Sequence, residues 1–222
     1  MKSRSCDRFA ITELSDARIE TTGDADKPAY TPRTHAPCRG MMPYRDVAAL
    51  LANELTREDS PDTLQLIRDL RAVRRRGHLT KREFLAICRW KSPRAIRHYI
   101  KNSPDRIRRH SALALASRSE RGRFEALTAL DGVGAPMASA ILTLTNPHRY
   151  GVMDIRVWQL LFELGSVRTK PGGVGFTFSD WDRYLVELRH HAKRLEVSVR
   201  AVEYSLFLYH QRVQQGVLYG RA

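Results

Sequence analysis

Cysteine is nearly missing: Cys6, Cys38 and Cys88 lie far apart in a chain of 222 residues. Three separated thiols exclude a disulfide framework, a paired-CxxC zinc site and a four-thiolate iron–sulfur cluster. Long apolar runs are missing too, since no stretch approaches the ~20 residues that span a bilayer. Met1 to Ala10 carries charges throughout and no apolar segment of the kind that marks a secretory signal. No alternating strand pattern stands out. His190-His191 and His210 have no partners at metal-ligand spacing, so no metal is expected. These absences point to a soluble, all-α protein without a membrane partner, expected in the cytoplasm.

Acidic charge is scarce in one place. The chain carries 38 Lys and Arg against 24 Asp and Glu, a net charge of +14. From Arg68 to Phe124 there are 18 basic and 4 acidic residues, so this 57-residue block holds the whole excess. Charge scattered evenly would serve solubility; a block fits a polyanion, most often nucleic acid. A membrane surface would want bulky apolar residues opposite the charge. An RNA partner suits such a block as well as DNA does.

Residues 1–43, interrupted by Pro28, Pro32, Pro37 and Pro43, read as a flexible arm. A basic helical region is expected over 44–119, and the rest of the chain, 120–222, is also helical. Asp46 to Leu55 reads as a short helix. Ser60-Pro61, Ser92-Pro93 and Ser103-Pro104 each put a good N-cap before a proline suited to the first helical position. They predict helices over about 61–76, 93–102 and 104–118. Thr80 with Glu83 predicts a capping box for a helix over about 81–90, after a stop at Gly77. Further helices are expected over 121–130, over 135–144, from Asp154 to a stop at Gly165, from Ser179 to about Leu195, and from Ser198 to before Gly216. The total is about nine to ten.

Phe124 to Gly165 is the most specific stretch. Leu130-Asp131-Gly132-Val133-Gly134 separates two helical segments. Two glycines let the backbone turn tightly and approach a ligand closely, and the next helix points free N–H groups outward. A DNA phosphate suits such a site, held without any base being read. An ordinary αα-hairpin turn is the other reading. Asp154 likewise has two readings, a helix N-cap and a reactive carboxylate, and one residue can be both.

Leu130-x-Gly132-Val133-Gly134-x-x-x-Ala138 resembles the helix-hairpin-helix of the DNA glycosylases related to endonuclease III. The resemblance is strong over about 40 residues and weaker over 120–215. It implies an all-α, glycosylase-like bundle and a family aspartate at Asp154, within Tyr150-Gly151-Val152-Met153-Asp154-Ile155-Arg156-Val157. It implies that amides around Gly132, Val133, Gly134 and Ala135 hold a DNA phosphate, helped by a monovalent cation on backbone carbonyls. The family's bifunctional members carry a lysine just after the second hairpin glycine. Here Pro136 takes that place, and proline cannot supply an amine. The expectation is therefore a monofunctional enzyme that flips a modified or mismatched base from double-stranded DNA and excises it by hydrolysis through Asp154. It is expected to act as a monomer. A non-catalytic nucleic-acid-binding module is the alternative; a defence-associated enzyme acting on unusual bases is compatible but without support.

Other candidates lie in the basic block. Lys91, Arg94, Arg97 and Lys101 recur at helical spacing and predict a cationic stripe toward DNA. Trp90 and Tyr99 flank it and are candidates for stacking on an extruded base, or for the core. Arg74-Arg75-Arg76 and Arg106-x-Arg108-Arg109-His110 are candidate phosphate grips. Trp158 and Trp181 read as core, and Glu203 as a partner for an arginine.

Overall fold

Serine and threonine caps set most helix starts in the computed structural model, which describes residues 43–214. Residues 1–42 and 215–222, with nearly all of the expected arm, Cys6, Cys38 and Gly216, lie outside the described residues. The described chain is all-α: ten helices, one 3-10 turn and no strand. They run α1 Val47–Glu54, α2 Pro61–Arg76, α3 Lys81–Lys91, a 3-10 turn Pro93–Ala95, α4 Ile96–Tyr99 and α5 Pro104–Ala116. Then follow α6 Glu120–Thr128, α7 Ala135–Thr145, α8 Ile155–Glu163, α9 Phe178–Leu195 and α10 Val199–Val213.

Ser60 and Ser103 accept hydrogen bonds from the Thr63 and Arg106 amides at the starts of α2 and α5. Thr80 and Glu83 close the expected capping box, and Gly77 ends α2 with φ of 81°. Two expected starts are corrected. Ser92 does not open a helix over 93–102. Its N–H donates to the Cys88 carbonyl as the cap that closes α3, and a 3-10 turn and the four-residue α4 follow. The break lets Tyr99 turn inward, edge-on to Phe84 with ring centroids 6.3 Å apart. The expected stripe is therefore not one continuous helix face. The start of α9 is the second: Thr177 and Asp180, rather than Ser179 and Asp182, form the capping box. The helix thereby gains Phe178, which packs edge-on against Phe124 and Trp181.

The central element is α7, in which every residue except Pro136 is buried. A helix apolar around its whole circumference belongs inside, and α2, α3 and α6 pack on it. Its hydroxyls bond back to carbonyls one turn earlier, as Thr143 does to Ser139 and Thr145 to Ile141, both at 2.8 Å. Helices α8 and α9 pack on α10, α1 on α10, and α5 on α6. Trp158 and Trp181 are fully buried. The basic region and the hairpin region therefore share one core.

Candidate functional site

The hairpin between α6 and α7 is built by one unusual backbone angle and held by residues far upstream. Gly132 has φ of 80°. A methyl group there would stand 2.9 Å from the His98 Cβ and 3.1 Å from the Tyr99 ring, so only glycine fits. The buried Asn102 side chain grips Asp131 at both ends, donating to its carbonyl at 3.0 Å and accepting from its N–H at 2.9 Å. Arg106 holds the Asp131 carboxylate at 2.9 Å and the Ala129 carbonyl at 2.5 Å.

Gly134 differs. It caps α7 with φ of −97°, which any residue adopts, and a Cβ there would meet only the Pro136 Cδ at 3.9 Å. The N–H groups of Gly134 and Ala135 donate to no group among the described residues, as the first turn of a helix dictates. Val133 is buried and its N–H donates to the Leu130 carbonyl at 3.1 Å, so the expected phosphate contact through this amide is corrected: the amide is already spent within the turn.

Asp154 is fixed by the segment that leads into it. The Met153 N–H donates to the Ser139 hydroxyl of α7 at 2.8 Å. The Tyr184 hydroxyl of α9 donates to the Val152 carbonyl at 2.7 Å, and the Val152 N–H reaches Glu203 of α10 at 3.2 Å. Gly151 is wedged so tightly that a Cβ would lie 2.5 Å from Leu188 and 2.9 Å from the Glu203 Cβ. Three helices thus pin one extended segment. Glu203 is 1% exposed and paired with Arg200, which also holds Asp59 at 2.6 Å and 3.1 Å. Burial pushes the Glu203 carboxyl up, against the opposing pull of Arg200.

Asp154 caps α8, accepting from the Arg156 N–H at 3.0 Å through one oxygen. The other oxygen takes a hydrogen bond from the Lys91 ammonium at 2.5 Å. The two side chains are 16% and 17% exposed. Burial works to raise the Asp154 carboxyl, but the Lys91 charge and hydrogen bond, together with the Arg156 amide and charge, outweigh it and hold the group below the ordinary carboxylate value.

Both features open into one cleft of about 570 Å³, lined among others by Lys91, Tyr99, Gly134, Ala135 and Asp154. A glycine-rich loop between α8 and α9, residues 171–175, closes another side. Gly173, with φ of 65°, backs onto Ile155, and Val174 stands at the lip 60% exposed. No family model, curated protein or solved structure matches this chain.

The remaining candidates divide. Tyr99 lines the cleft, is 4% exposed, and supports Gly132. Trp90 does not line it: its indole N–H goes to Thr63 at 3.1 Å and Arg200 lies over its ring. Arg94 on the 3-10 turn, Arg97 on α4 and Lys101 just after α4 are exposed, on the segment that carries His98 and Tyr99 against the hairpin. Arg76 and Arg106, two of the candidate phosphate grips, are engaged by Glu83 and Asp131. Among the described residues, no three His, Cys, Asp or Glu side chains come together to hold a metal. No described helix is long and apolar enough to cross a membrane.

Lys91 is the site residue that periodicity hid. Its spacing put it in the cationic stripe, and only the end of α3 turns it to Asp154. Ser139 and Tyr184 carried no sequence signal, and Glu203 was marked only as a partner for an arginine, which Arg200 is.

Proposed function

We propose that this protein binds double-stranded DNA through its hairpin and excises a modified or mismatched base, as a glycosylase of the helix-hairpin-helix kind. The observation that carries the reading is that Asp154 and the free hairpin amides line one cleft. A phosphate on the Gly134 and Ala135 amides would be met by backbone donors and the positive end of α7. An extruded nucleotide would then bring its sugar toward Asp154. As the base leaves, the sugar ring becomes oxocarbenium-like, and a carboxylate kept anionic stabilises that charge. Flipping is required because the glycosidic bond is out of reach within the stack. Two aromatic side chains line the cleft and could pack on the base, the buried Tyr99 and the half-buried Phe176; Trp90 does not line it. The exposed Arg94, Arg97 and Lys101 grip the flanking backbone. The protein works as a monomer on nucleoid DNA.

The test is a panel of duplexes carrying uracil, oxidised, alkylated or mismatched bases, with hot alkali to reveal abasic sites. The expected result is base release from at least one lesion, lost in Asp154→Asn while duplex affinity stays within a few-fold. Tight duplex binding without release from any lesion would favour the non-catalytic module. Release at the wild-type rate by Asp154→Asn would remove the carboxylate from the chemistry.

A further inference from the structure

We propose that Lys91 is the nucleophile of this cleft, and that its amine gives the protein an abasic-site lyase activity by forming an imine with C1′ of a deoxyribose. The inference rests on the glycosylase reading of the same cleft and deepens it. It replaces water by an amine, against the expectation drawn from Pro136.

Three observations carry it. Five lysines lie among the described residues, and Lys91 alone lines the cleft. Lys81 is spent on the Ile100 carbonyl, and Lys170 on Asp180 and the Gly175 carbonyl. Second, the Lys91 nitrogen is 2.5 Å from an Asp154 oxygen, a hydrogen bond along which a proton can pass. Third, each Asp154 oxygen already has a donor, the Arg156 amide on one and Lys91 on the other. The Arg156 amide thus orients the carboxylate so that its second oxygen meets the amine. The family position for an amine lies on the hairpin; here α3 brings one to the aspartate from another part of the chain.

The chemistry balances with water alone. Lys91 passes one proton to Asp154 and its nitrogen adds to the C1′ aldehyde of an abasic site. The carbinolamine oxygen takes that proton back from Asp154 and a second from the nitrogen and leaves as water, so that a protonated imine remains and Asp154 is again a carboxylate. Removal of a C2′ proton, with Asp154 as the acceptor, expels the 3′ phosphate with the electron pair of the C3′–O bond. Water then hydrolyses the imine and frees the amine.

An abasic duplex tests this without knowledge of the base removed. A duplex in which a single uracil has been converted to an abasic site is incubated with the full chain and sodium borohydride, which reduces an imine to a stable amine. The expected result is a covalent protein–DNA adduct that maps to Lys91. Lys91→Arg keeps a cation beside Asp154, and should retain melting temperature and duplex affinity while losing the adduct at least 100-fold. Lys193→Ala, on the exposed side of α9, should be trapped like wild type. No adduct from wild type, or an undiminished adduct from Lys91→Arg, would overturn the proposal. Base release from the lesion panel without trapping would reject Lys91 and leave the glycosylase reading standing. Trapping through Lys91 without base release from any lesion would uphold the amine and sink the glycosylase reading instead.

Discussion

Asp154 is, at the residue scale, both a helix cap and one half of a mostly buried ion pair. As a cap it could be replaced by asparagine at little cost, since Asn is as good an N-cap as Asp. The ion pair with Lys91 alters that expectation. Asp154→Asn leaves a mostly buried ammonium without its counter-charge, and should destabilise the protein by roughly 1–3 kcal/mol at neutral pH. The pH dependence fixes the cause. The folded-state carboxyl is held below its ordinary value, so its contribution is full above the unfolded-state value and is lost as pH falls through the folded one. The gap in unfolding free energy between wild type and Asp154→Asn should therefore shrink on acidification below about pH 4. Urea titrations of both proteins across that range would reveal it. A constant gap would mean that shape, not charge, sets the cost. Cys88 is a simpler case: burial pushes its thiol up to about 12, and it serves as core.

The hairpin is the element on which the proposed binding turns, and its two glycines are not equivalent. Gly132 is required by the fold itself, through its positive φ and its close packing on His98 and Tyr99. Gly132→Ala should lose at least about 1–2 kcal/mol of stability, the ordinary cost of a left-handed conformation for a side-chain-bearing residue, with the crowding against His98 and Tyr99 added to it. Gly134 has room above it and an ordinary backbone. Gly134→Ala should melt within a few degrees of wild type yet bind duplex DNA at least ten-fold more weakly, because the new methyl group stands where a phosphate must approach the amides. Thermal melts and fluorescence titrations separate the two effects. Equal affinity for Gly134→Ala and wild type would place the phosphate elsewhere.

Across the whole molecule, the charge excess and the cleft meet on one loop. Arg94, Arg97 and Lys101 are exposed on the segment that packs against Gly132, while Arg76 and Arg106 are drawn into internal pairs. Changing the three exposed cations to alanine should weaken binding to many duplex sequences alike. It should also flatten the dependence of log K on log salt by about 0.9 for each phosphate that is no longer neutralised. An unchanged slope would show that this loop faces away from the DNA.

Local chemistry was enough to mark most helices. A cap is a hydrogen bond between residues three apart, so Ser60-Pro61, Thr80 with Glu83, Ser103-Pro104 and Ser198 announced their helices in the sequence. Burial on all sides of α7 was written in its apolar composition. The sequence also marked Gly132, Gly134 and Asp154, because a turn and a cap each need particular residues at fixed spacing. Where tertiary packing competes with a local signal, the sequence was not enough: Ser92-Pro93 looks like a helix start, but drawing Tyr99 in against Phe84 leaves only a 3-10 turn and α4. The pairing of Lys91 with Asp154 depends on how α3 lies against α7, and the pinning of Val152 and Met153 on α7, α9 and α10 converging. Such hydrogen bonds join residues 63, 14, 32 and 51 positions apart. Periodicity reports which face of a helix is buried, but not which distant side chain that face will meet. The sequence therefore determined the elements and the hairpin, and the packing of the helices decided that a lysine would stand beside the carboxylate.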